Sequence, residues 1–265
     1  MTTMVNVQID ARGIAWVTMN NPAKHNAFDD AIIAELQEAF EMVENNPDVR
    51  IMVLAAEGKS FSAGADLAWM QRMADYGYEE NLRDARALAQ MLHTLNNLTK
   101  PTIARVQGAA FGGAVGLVGC CDIAIASPRA SFSLSEVRIG LVPATIAPYV
   151  VAAMGARAAR RYFQTAERFS ADTALHLGLV SQLVEEDQLD ATIEQQINTL
   201  LSNSPAAMHA AKQLVFDVMD QPVTEALIEA TSQLIANIRI SPEGQEGLKA
   251  FLQKRTPSYL QTSEK

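Results

Sequence analysis

Three short apolar segments, separated from one another by stretches of helical periodicity, constrain the fold of this 265-residue chain more than any other feature. They are Ile51–Ala55, Thr102–Val106 and Asp122–Ala126. Strands that are apolar on both faces must be covered on both sides of their sheet. Their alternation with helices therefore predicts an α/β fold with a largely buried sheet.

Upstream of these segments, the sequence predicts a strand pair followed by one amphipathic helix. Val5–Ile9 and Ile14–Met19 read as the strands of a hairpin, and Gly13 supplies its turn. Apolar residues then recur at helical spacing between Ile32 and Val43, and Asn26 is the expected N-cap of that helix. The chain is thus expected to begin with antiparallel strands.

The C-terminal part of the sequence is predicted to be helical. After about Ala147 the strand signal nearly vanishes, apart from Leu179–Val184, and Ser170 and Gly178 are the expected N-cap and C-cap of one helix. We divide the chain into a core domain, residues 1–195, and a C-terminal helical region, residues 196–265. Wide apolar helix faces in that region predict burial against the core or in a homo-oligomer, because large apolar stripes are rare on the surface of monomers.

Composition excludes several classes of protein. A net charge of -9 argues against a nucleic-acid partner. No apolar run reaches the roughly 18 residues of a membrane span, and the first ten residues lack the features of a secretory signal, so we expect a cytoplasmic protein. Cys120 and Cys121 are adjacent, which argues against a disulfide framework, and the four histidines lack the spacing of a metal site.

Two glycine-containing turns are candidates for binding an anion or an oxyanion. They are Ser60–Asp66 and Gly108–Gly116, and each lies between a predicted strand and a helix-like segment. Glycine lets a ligand approach the main chain, and amides at a helix N-terminus are unpaired. Neither turn matches a P-loop or a dinucleotide fingerprint, and glycines that serve only packing or turns remain the alternative.

Glu136 is the candidate acid or base, because it is a lone carboxylate between apolar stretches. Partial burial would raise its pKa and let it exchange protons near neutral pH. The alternative is a salt bridge to Arg138. Trp69, with Met70 and Met73, fits either the core or the wall of an apolar acyl pocket, and Asp66 is expected to cap the helix that carries them.

Three segments in order resemble the crotonase superfamily of enoyl-CoA hydratases and isomerases. They are Phe61–Leu67, Gln107–Gly113 with Cys121 and Asp122 just beyond, and Ser135-Glu136 with Gly140–Pro143. The likeness extends from Asn21–Ala27 to Phe251–Pro257 and so spans nearly the whole chain. Each motif alone is unspecific, but their combination is highly specific.

The resemblance implies a fold, a substrate and a site. The fold is a crotonase-type spiral of ββα units with a helical C-terminal trimerisation region, assembled as a homotrimer or homohexamer. The substrate is an acyl-CoA, so that coenzyme A enters as part of the substrate and no separate cofactor is needed. The oxyanion hole carries over to the N–H groups of Ala65 and Gly113, and Glu136 carries over as the acid/base. Residues matching the coenzyme A site are Lys24, Ala27, Ala63, Asp66 and Leu67, joined by Phe251 and Lys254, which resemble a C-terminal pair that reaches the nucleotide from a neighbouring subunit.

One departure bears on the reaction. Typical enoyl-CoA hydratases have two glutamates, and Gly116 stands at the position that matches the first. Hydration by Glu136 alone is our first interpretation; an enoyl-CoA isomerase and a non-catalytic CoA-binding or RNA-binding homologue are the alternatives. The amino-acid sequences of three segments resemble those of bacterial methylglutaconyl-CoA hydratases. The segments are Ala65–Met70, Leu134–Gly140 and Ile240–Gly247. This resemblance favours methylglutaconyl-CoA or a related branched glutaconyl-CoA as substrate.

Overall fold

The computed structural model describes residues 3–260, and the chain forms two units. The first unit comprises Met1–Leu98 and Thr102–Gln195 and contains both β-sheets. The second comprises Thr99–Pro101 and Gln196–Lys265, and its described residues are largely helical.

The larger sheet has six strands and a mostly parallel topology. In spatial order its strands are β1 (Val5–Ile9), β2 (Ile14–Met19), β3 (Ile51–Ala56), β4 (Thr102–Val106), β6 (Ile123–Ala126) and β9 (Gln182–Leu183). Strands β1 and β2 form the predicted antiparallel hairpin, and all other neighbours are parallel. Every residue of β3 is buried, which agrees with a sheet covered on both faces.

A smaller sheet brings together segments that are distant in sequence. It contains β5 (Ala110–Phe111), β7 (Ser131–Ser133) and β8 (Phe169–Ser170). Isolated parallel bridges join Phe28 to Ala65 and Ser62 to Ala110. These pairings set the two glycine turns side by side and carry the chain from β7 directly toward Glu136.

Ten α-helices complete the described part of the chain. The first unit contains α1 (Asp30–Asn45), α2 (Leu67–Ala74), α3 (Tyr78–Asn96), α4 (Gly113–Cys120), α5 (Ala147–Thr165) and α6 (Ala171–Leu177). The boundary between the units falls within α7 (Leu189–Leu201), and the second unit adds α8 (Pro205–Val218), α9 (Glu225–Ile240) and α10 (Pro242–Leu252). Helix α6 has the predicted caps, because the Ser170 side chain accepts a hydrogen bond from the Thr173 N–H and Gly178 closes the helix.

The prediction that Asn26 caps the first helix is wrong. Helix α1 begins at Asp30, and the Asp29 side chain accepts hydrogen bonds from the N–H groups of Ala31 and Ile32. Asn26 instead is buried with φ +52°. Its side-chain amide donates to the carbonyls of Glu57 and Ser60, and its Oδ1 accepts from the Asn21 N–H. This role could not be predicted from local sequence, because the bonded carbonyls lie more than thirty positions away.

Large apolar side chains fill the hydrophobic core. Phe28, Phe40, Phe61 and Phe132 are among the largest fully buried ones. Within residues 3–260, no helix combines the length and the apolar character that a membrane span requires.

Candidate active site

A cavity of about 770 Å³ opens in the first unit beside the N-terminus of α4. Its wall comes from α2, α3, the first residue of α4 and the segment between Glu136 and Ile146. Ala65, Gly113 and Glu136 all line it, although up to 71 positions separate them in sequence. The structure therefore gathers the three predicted chemical groups around one space.

The turn before α2 leaves the Ala65 amide available. Phe28 donates its N–H to the Gly64 carbonyl and accepts from the Asp66 N–H, so the bridge uses the residues on either side of Ala65. Within the described part of the chain, the Ala65 N–H has no hydrogen-bond acceptor. The turn needs glycine at position 64, where φ is +89° and a Cβ would lie 2.8 Å from the Phe111 carbonyl oxygen.

Gly113 is the first residue of α4, so its N–H has no acceptor within the helix and lies at the positive end of the helix dipole. Glycine is required here because an added Cβ would lie 2.6 Å from Cζ of Phe28. The neighbouring Gly112 N–H donates to the Ser133 carbonyl at 2.8 Å, which fixes this turn against β7. The Ala65 and Gly113 amides thus form a potential pair of donors at the cavity wall.

Glu136 begins a short 3₁₀ helix, Glu136–Ile139, that Gly140 ends in a left-handed conformation. Its Oε2 is buried and finds no hydrogen-bond partner among the residues that the structure describes. Burial raises the pKa of this carboxyl group above its ordinary value of 4.5. Such a group holds its proton to higher pH than a solvated glutamate does.

Arg138 does not form the alternative salt bridge with Glu136. Its guanidinium donates instead to the Ala166 carbonyl at 2.7 Å, beyond the end of α5. Among the residues that the structure describes, no cation pairs with the Glu136 carboxyl group.

Gly116 stands where typical enoyl-CoA hydratases have the glutamate that this chain lacks. It is buried in α4, where a Cβ would lie 2.3 Å from Cγ2 of Ile146 and 3.4 Å from Cδ2 of Leu92. The space next to this position is therefore filled by apolar side chains. A carboxylate could enter only if Ile146 moved or became smaller.

The rest of the cavity lining is mostly apolar and contains few polar side chains. Side chains of α2 and α3 supply most of it, namely Trp69, Met70, Met73, Ala85 and Leu88. Trp69 is also buried, so it belongs both to the packed interior and to the cavity wall, and the two interpretations of this residue are compatible. Asp84 accepts a hydrogen bond from the Trp69 indole and also lines the cavity.

The residues matched to a coenzyme A site differ in their surroundings. Asp66 caps α2 as expected, accepting from the N–H groups of Ala68 and Trp69, and also binds Lys24 Nζ at 2.8 Å. The Lys24 ammonium lowers the pKa of the Asp66 carboxyl group. Ala27 is buried, whereas Ala63 and Leu67 are exposed.

The predicted C-terminal pair belongs to the second unit. Phe251 is 81% exposed near the end of α10, and Lys254 follows that helix with φ +53°. The nearby Arg255 is engaged by Glu246, whose pKa this ion pair lowers to about 2.

The roles of two residues that shape the site, Gln107 and Asp84, were not predicted from the sequence. Gln107 donates its side-chain amide to the Ala56 carbonyl at 2.8 Å and so holds the segment before the first glycine turn, together with Asn26. Asp84 lies four positions before Leu88, a helical spacing that could have revealed its shared face. No local signal marks Gln107, because its partners follow a different strand.

Together, these features of the cavity indicate a class of enzyme. Two main-chain donors can stabilise negative charge on a carbonyl oxygen, and one half-buried carboxyl group can move a proton in an apolar cavity. An enzyme that forms an enolate from an acyl group requires such groups. Among the described residues, no cluster of three or more His, Cys, Asp or Glu side chains could hold a metal ion.

Comparison with known proteins gives the same class. The sequence profile of the enoyl-CoA hydratase/isomerase family matches residues 10–262. The chain is 31% identical to a short-chain-enoyl-CoA hydratase of Clostridium acetobutylicum, covering 94% of this chain and 95% of the relative. It is 30% identical to a 2,3-dehydroadipyl-CoA hydratase of Escherichia coli, covering 92% and 93%.

Solved structures agree with the predicted fold. An enoyl-CoA hydratase from Shewanella pealeana superposes with a TM-score of 0.94 at 48% identity, covering 97% of this chain and 96% of that one. AtuE of Pseudomonas aeruginosa gives a TM-score of 0.92 at 33% identity, covering 98% and 100%. The chain belongs to the enoyl-CoA hydratase/isomerase family of the crotonase superfamily, and the predicted crotonase-type fold is confirmed.

Proposed function

We propose that this protein is an enoyl-CoA hydratase that adds water across the 2,3 double bond of an acyl-CoA thioester. The observation that carries the proposal is the convergence of the Ala65 amide, the Gly113 amide and the unpaired Glu136 carboxyl group on one apolar cavity. Relatives named as enoyl-CoA hydratases support this reaction over others of the family.

In the proposed mechanism, the thioester oxygen lies against the N–H groups of Ala65 and Gly113. The Glu136 carboxylate takes a proton from water as the water oxygen bonds to C3, and the electrons of the double bond move to form the enolate. The two amides stabilise the enolate oxygen, and one such donor is worth about 3 to 4 kcal/mol in other enzymes. Glu136 then returns its proton to C2, so one carboxyl group serves both steps.

Isomerisation is the second candidate, and Gly116 is the observation that favours it. Ile146 occupies the space beside Gly116, so no second carboxyl group faces the reacting carbons from that position. A single carboxyl group is sufficient to move a proton between C2 and C4 of an enoyl thioester. In that reaction no water is consumed.

The finer proposal concerns the acyl group, for which the sequence resemblance favours methylglutaconyl-CoA or a related branched glutaconyl-CoA. The named relatives take different acyl groups, dehydroadipyl in one and short-chain enoyl in another, so their names support the reaction and not one substrate. A carboxylate on the substrate would explain why fewer proton-transferring groups come from the protein. Equal turnover of a carboxylate-free enoyl-CoA would contradict this explanation.

Coenzyme A binding is proposed for the seven residues named by the resemblance. Exposed Lys24 offers a cation that pairs with Asp66, and release from Asp66 would let its ammonium group meet a phosphate. Ala27, Ala63, Asp66 and Leu67 are proposed to line the thioester arm, and Phe251 and Lys254 are proposed to reach the nucleotide from a neighbouring subunit. Coenzyme A is part of the substrate, and we propose no separate cofactor.

The test supplies purified protein with crotonyl-CoA and 3-methylglutaconyl-CoA in separate assays. Loss of the conjugated enoyl thioester and the mass of the product are followed together. A mass gain of one water supports hydration, and a gain on the branched acid alone supports the finer proposal. No gain on either substrate contradicts hydration, and conversion of a 3-enoyl-CoA to its conjugated isomer would then establish isomerisation. Absence of all turnover, with retention of CoA thioesters or RNA, would indicate a non-catalytic homologue.

A further inference from the structure

Helix α2 forms one wall of the cavity and yet has a single buried residue. Trp69 is that residue, with 4% of its surface exposed, whereas Leu67 on the same helix is 76% exposed. Trp69, Met70 and Met73 all face the cavity. The position of this wall therefore depends on how the Trp69 side chain is held.

Asp84 on α3 holds the Trp69 indole. Its Oδ2 accepts the Nε1–H at 3.1 Å, and the Asp84 side chain lines the cavity beside it. Helix α2 also forms an ion pair between Arg72 and Asp30. Both side chains of this pair are about half exposed, and exposed pairs contribute little.

The start of α2 is coupled to the oxyanion donor. Asp66 caps the helix and directly follows Ala65, which lines the cavity. A shift of α2 would thus move both the acyl wall and one of the two amides. One side-chain contact at Trp69 has consequences for binding and for catalysis.

We propose that Asp84 is a positioning residue: by accepting the Trp69 indole N–H, it fixes α2 as the wall against which the acyl chain of an enoyl-CoA packs. This proposal rests on the proposed function for its kinetic readout. The ligand that the wall receives is the acyl portion of a CoA thioester.

The test separates the hydrogen bond from the charge of Asp84. Asp84→Leu and Trp69→Phe each remove the bond, whereas Asp84→Asn keeps a carbonyl oxygen that accepts the indole N–H. We expect the first two to lower kcat/KM by about tenfold or more, chiefly through KM, because the hydrogen bond that holds the Trp69 indole is lost. The asparagine variant retains most of the activity. The double variant Trp69→Phe/Asp84→Leu should be little worse than either single change.

A matched control and a spectroscopic readout exclude a merely structural effect. Glu79→Leu changes another acidic residue of α3 that is exposed and should leave kcat/KM within a small factor. Since the chain has two tryptophans, Trp16→Phe leaves Trp69 as the only indole emitter. In that background, Asp84→Leu should shift the emission maximum more than Asp84→Asn does.

Affinity for saturated butyryl-CoA, measured by calorimetry, keeps this proposal distinguishable from the proposed function. If the wild type turns over no enoyl-CoA but Asp84→Leu weakens butyryl-CoA binding, the proposed function fails and the positioning role stands. Wild-type kinetics and affinity in Asp84→Leu would overturn the positioning role. Loss of turnover in Asp84→Asn as severe as in Asp84→Leu would overturn it as well, and would assign the carboxyl group itself to catalysis.

Discussion

Burial of Glu136 has opposite consequences for proton transfer and for the stability of the folded protein. Its Oε2 lacks a partner within the described residues, and burial raises its pKa. The same desolvation that prepares the carboxyl group for proton transfer disfavours its ionised form in the folded protein. Replacement by glutamine, which is uncharged and of the same shape, therefore affects activity and stability in opposite directions.

Glu136→Gln should lower kcat by about a hundredfold or more, because it removes the proton carrier, while affinity for a CoA thioester changes by only a small factor. Steady-state kinetics and calorimetry with a saturated acyl-CoA measure the two effects. Glu38→Gln, at an exposed position of α1, is the matched control. Turnover close to wild type in Glu136→Gln would refute the acid/base role.

The same variant should be more stable than the wild type at pH 8. For a glutamate with a raised pKa in the folded state, the unfolded chain releases its proton first, so stability falls as pH rises from 4.5 to the raised value. Below pH 4.5 the two proteins should have nearly equal stability, and above the raised pKa the variant should have the higher Tm. Thermal melts across this pH range check the sign. A variant that melts lower at pH 8 would show that Glu136 makes stabilising contacts.

Packing around helix α4 explains why no glutamate occupies position 116. Helix α4 presents Gly116 toward Ile146, which precedes α5, and toward Leu92 of α3. Close approach of the helices depends on the absence of a side chain at this position. The absence of a carboxylate at position 116 thus follows from the packing around α4.

Gly116→Ala should destabilise the protein by about 1 to 3 kcal/mol, the usual cost of overpacking, because its Cβ would lie 2.3 Å from Ile146 Cγ2. Ile146→Ala removes a buried side chain and is itself destabilising, but it makes room for the new Cβ, so the double variant should lose less stability than the sum of the two single losses. Denaturant unfolding of the two single variants and the double variant measures the coupling. Additive losses in the double variant would show that Ile146 does not limit the space at Gly116.

Helix α2 offers a second prediction at the scale of an element. Asp66→Ala removes its N-cap and should cost about 1 kcal/mol, whereas Asp66→Asn keeps the cap and loses only the ion pair with Lys24. That pair contributes little because Lys24 is largely exposed. Denaturant melts compare the two variants. Equal losses in both would give the dominant role to the ion pair.

At the scale of the whole molecule, the second unit exposes many large apolar side chains. They include Val215, Val223, Ile228, Ile235, Ile240, Leu248, Phe251 and Leu252. Such residues scattered singly are ordinary, but several on consecutive helices are expected to be covered when the chain associates with copies of itself. The proposed homotrimer or homohexamer would cover them.

Sedimentation should give a mass three or six times that of the 28.7 kDa chain. Ile228 and Ile235 lie seven positions apart on one face of α9, so Ile228→Asp with Ile235→Asp should weaken the assembly. Asn237→Asp, an exposed change on the same helix, is the control. A wild-type chain that sediments as a monomer at micromolar concentration would contradict the proposal.

The sequence by itself determined the features that depend on local patterns. The apolar segments predicted β3, β4 and β6, the turn at Gly13 predicted the hairpin, and Ser170 with Gly178 predicted the caps of α6. These predictions succeeded because hydrophobic periodicity and capping act within a few residues. Order and spacing of the glycine turns and Glu136 also sufficed to indicate the family.

Only the tertiary structure decided what depends on contacts between distant segments. Asn26 was mistaken for a helix cap because its partners near Ser60 lie beyond the reach of local pattern. Arg138 lies two positions after Glu136 in sequence, yet the fold directs its guanidinium to the Ala166 carbonyl. The burial of Glu136, the filled space beside Gly116 and the bond from Trp69 to Asp84 likewise arise from packing, in which neighbours are set by the whole fold.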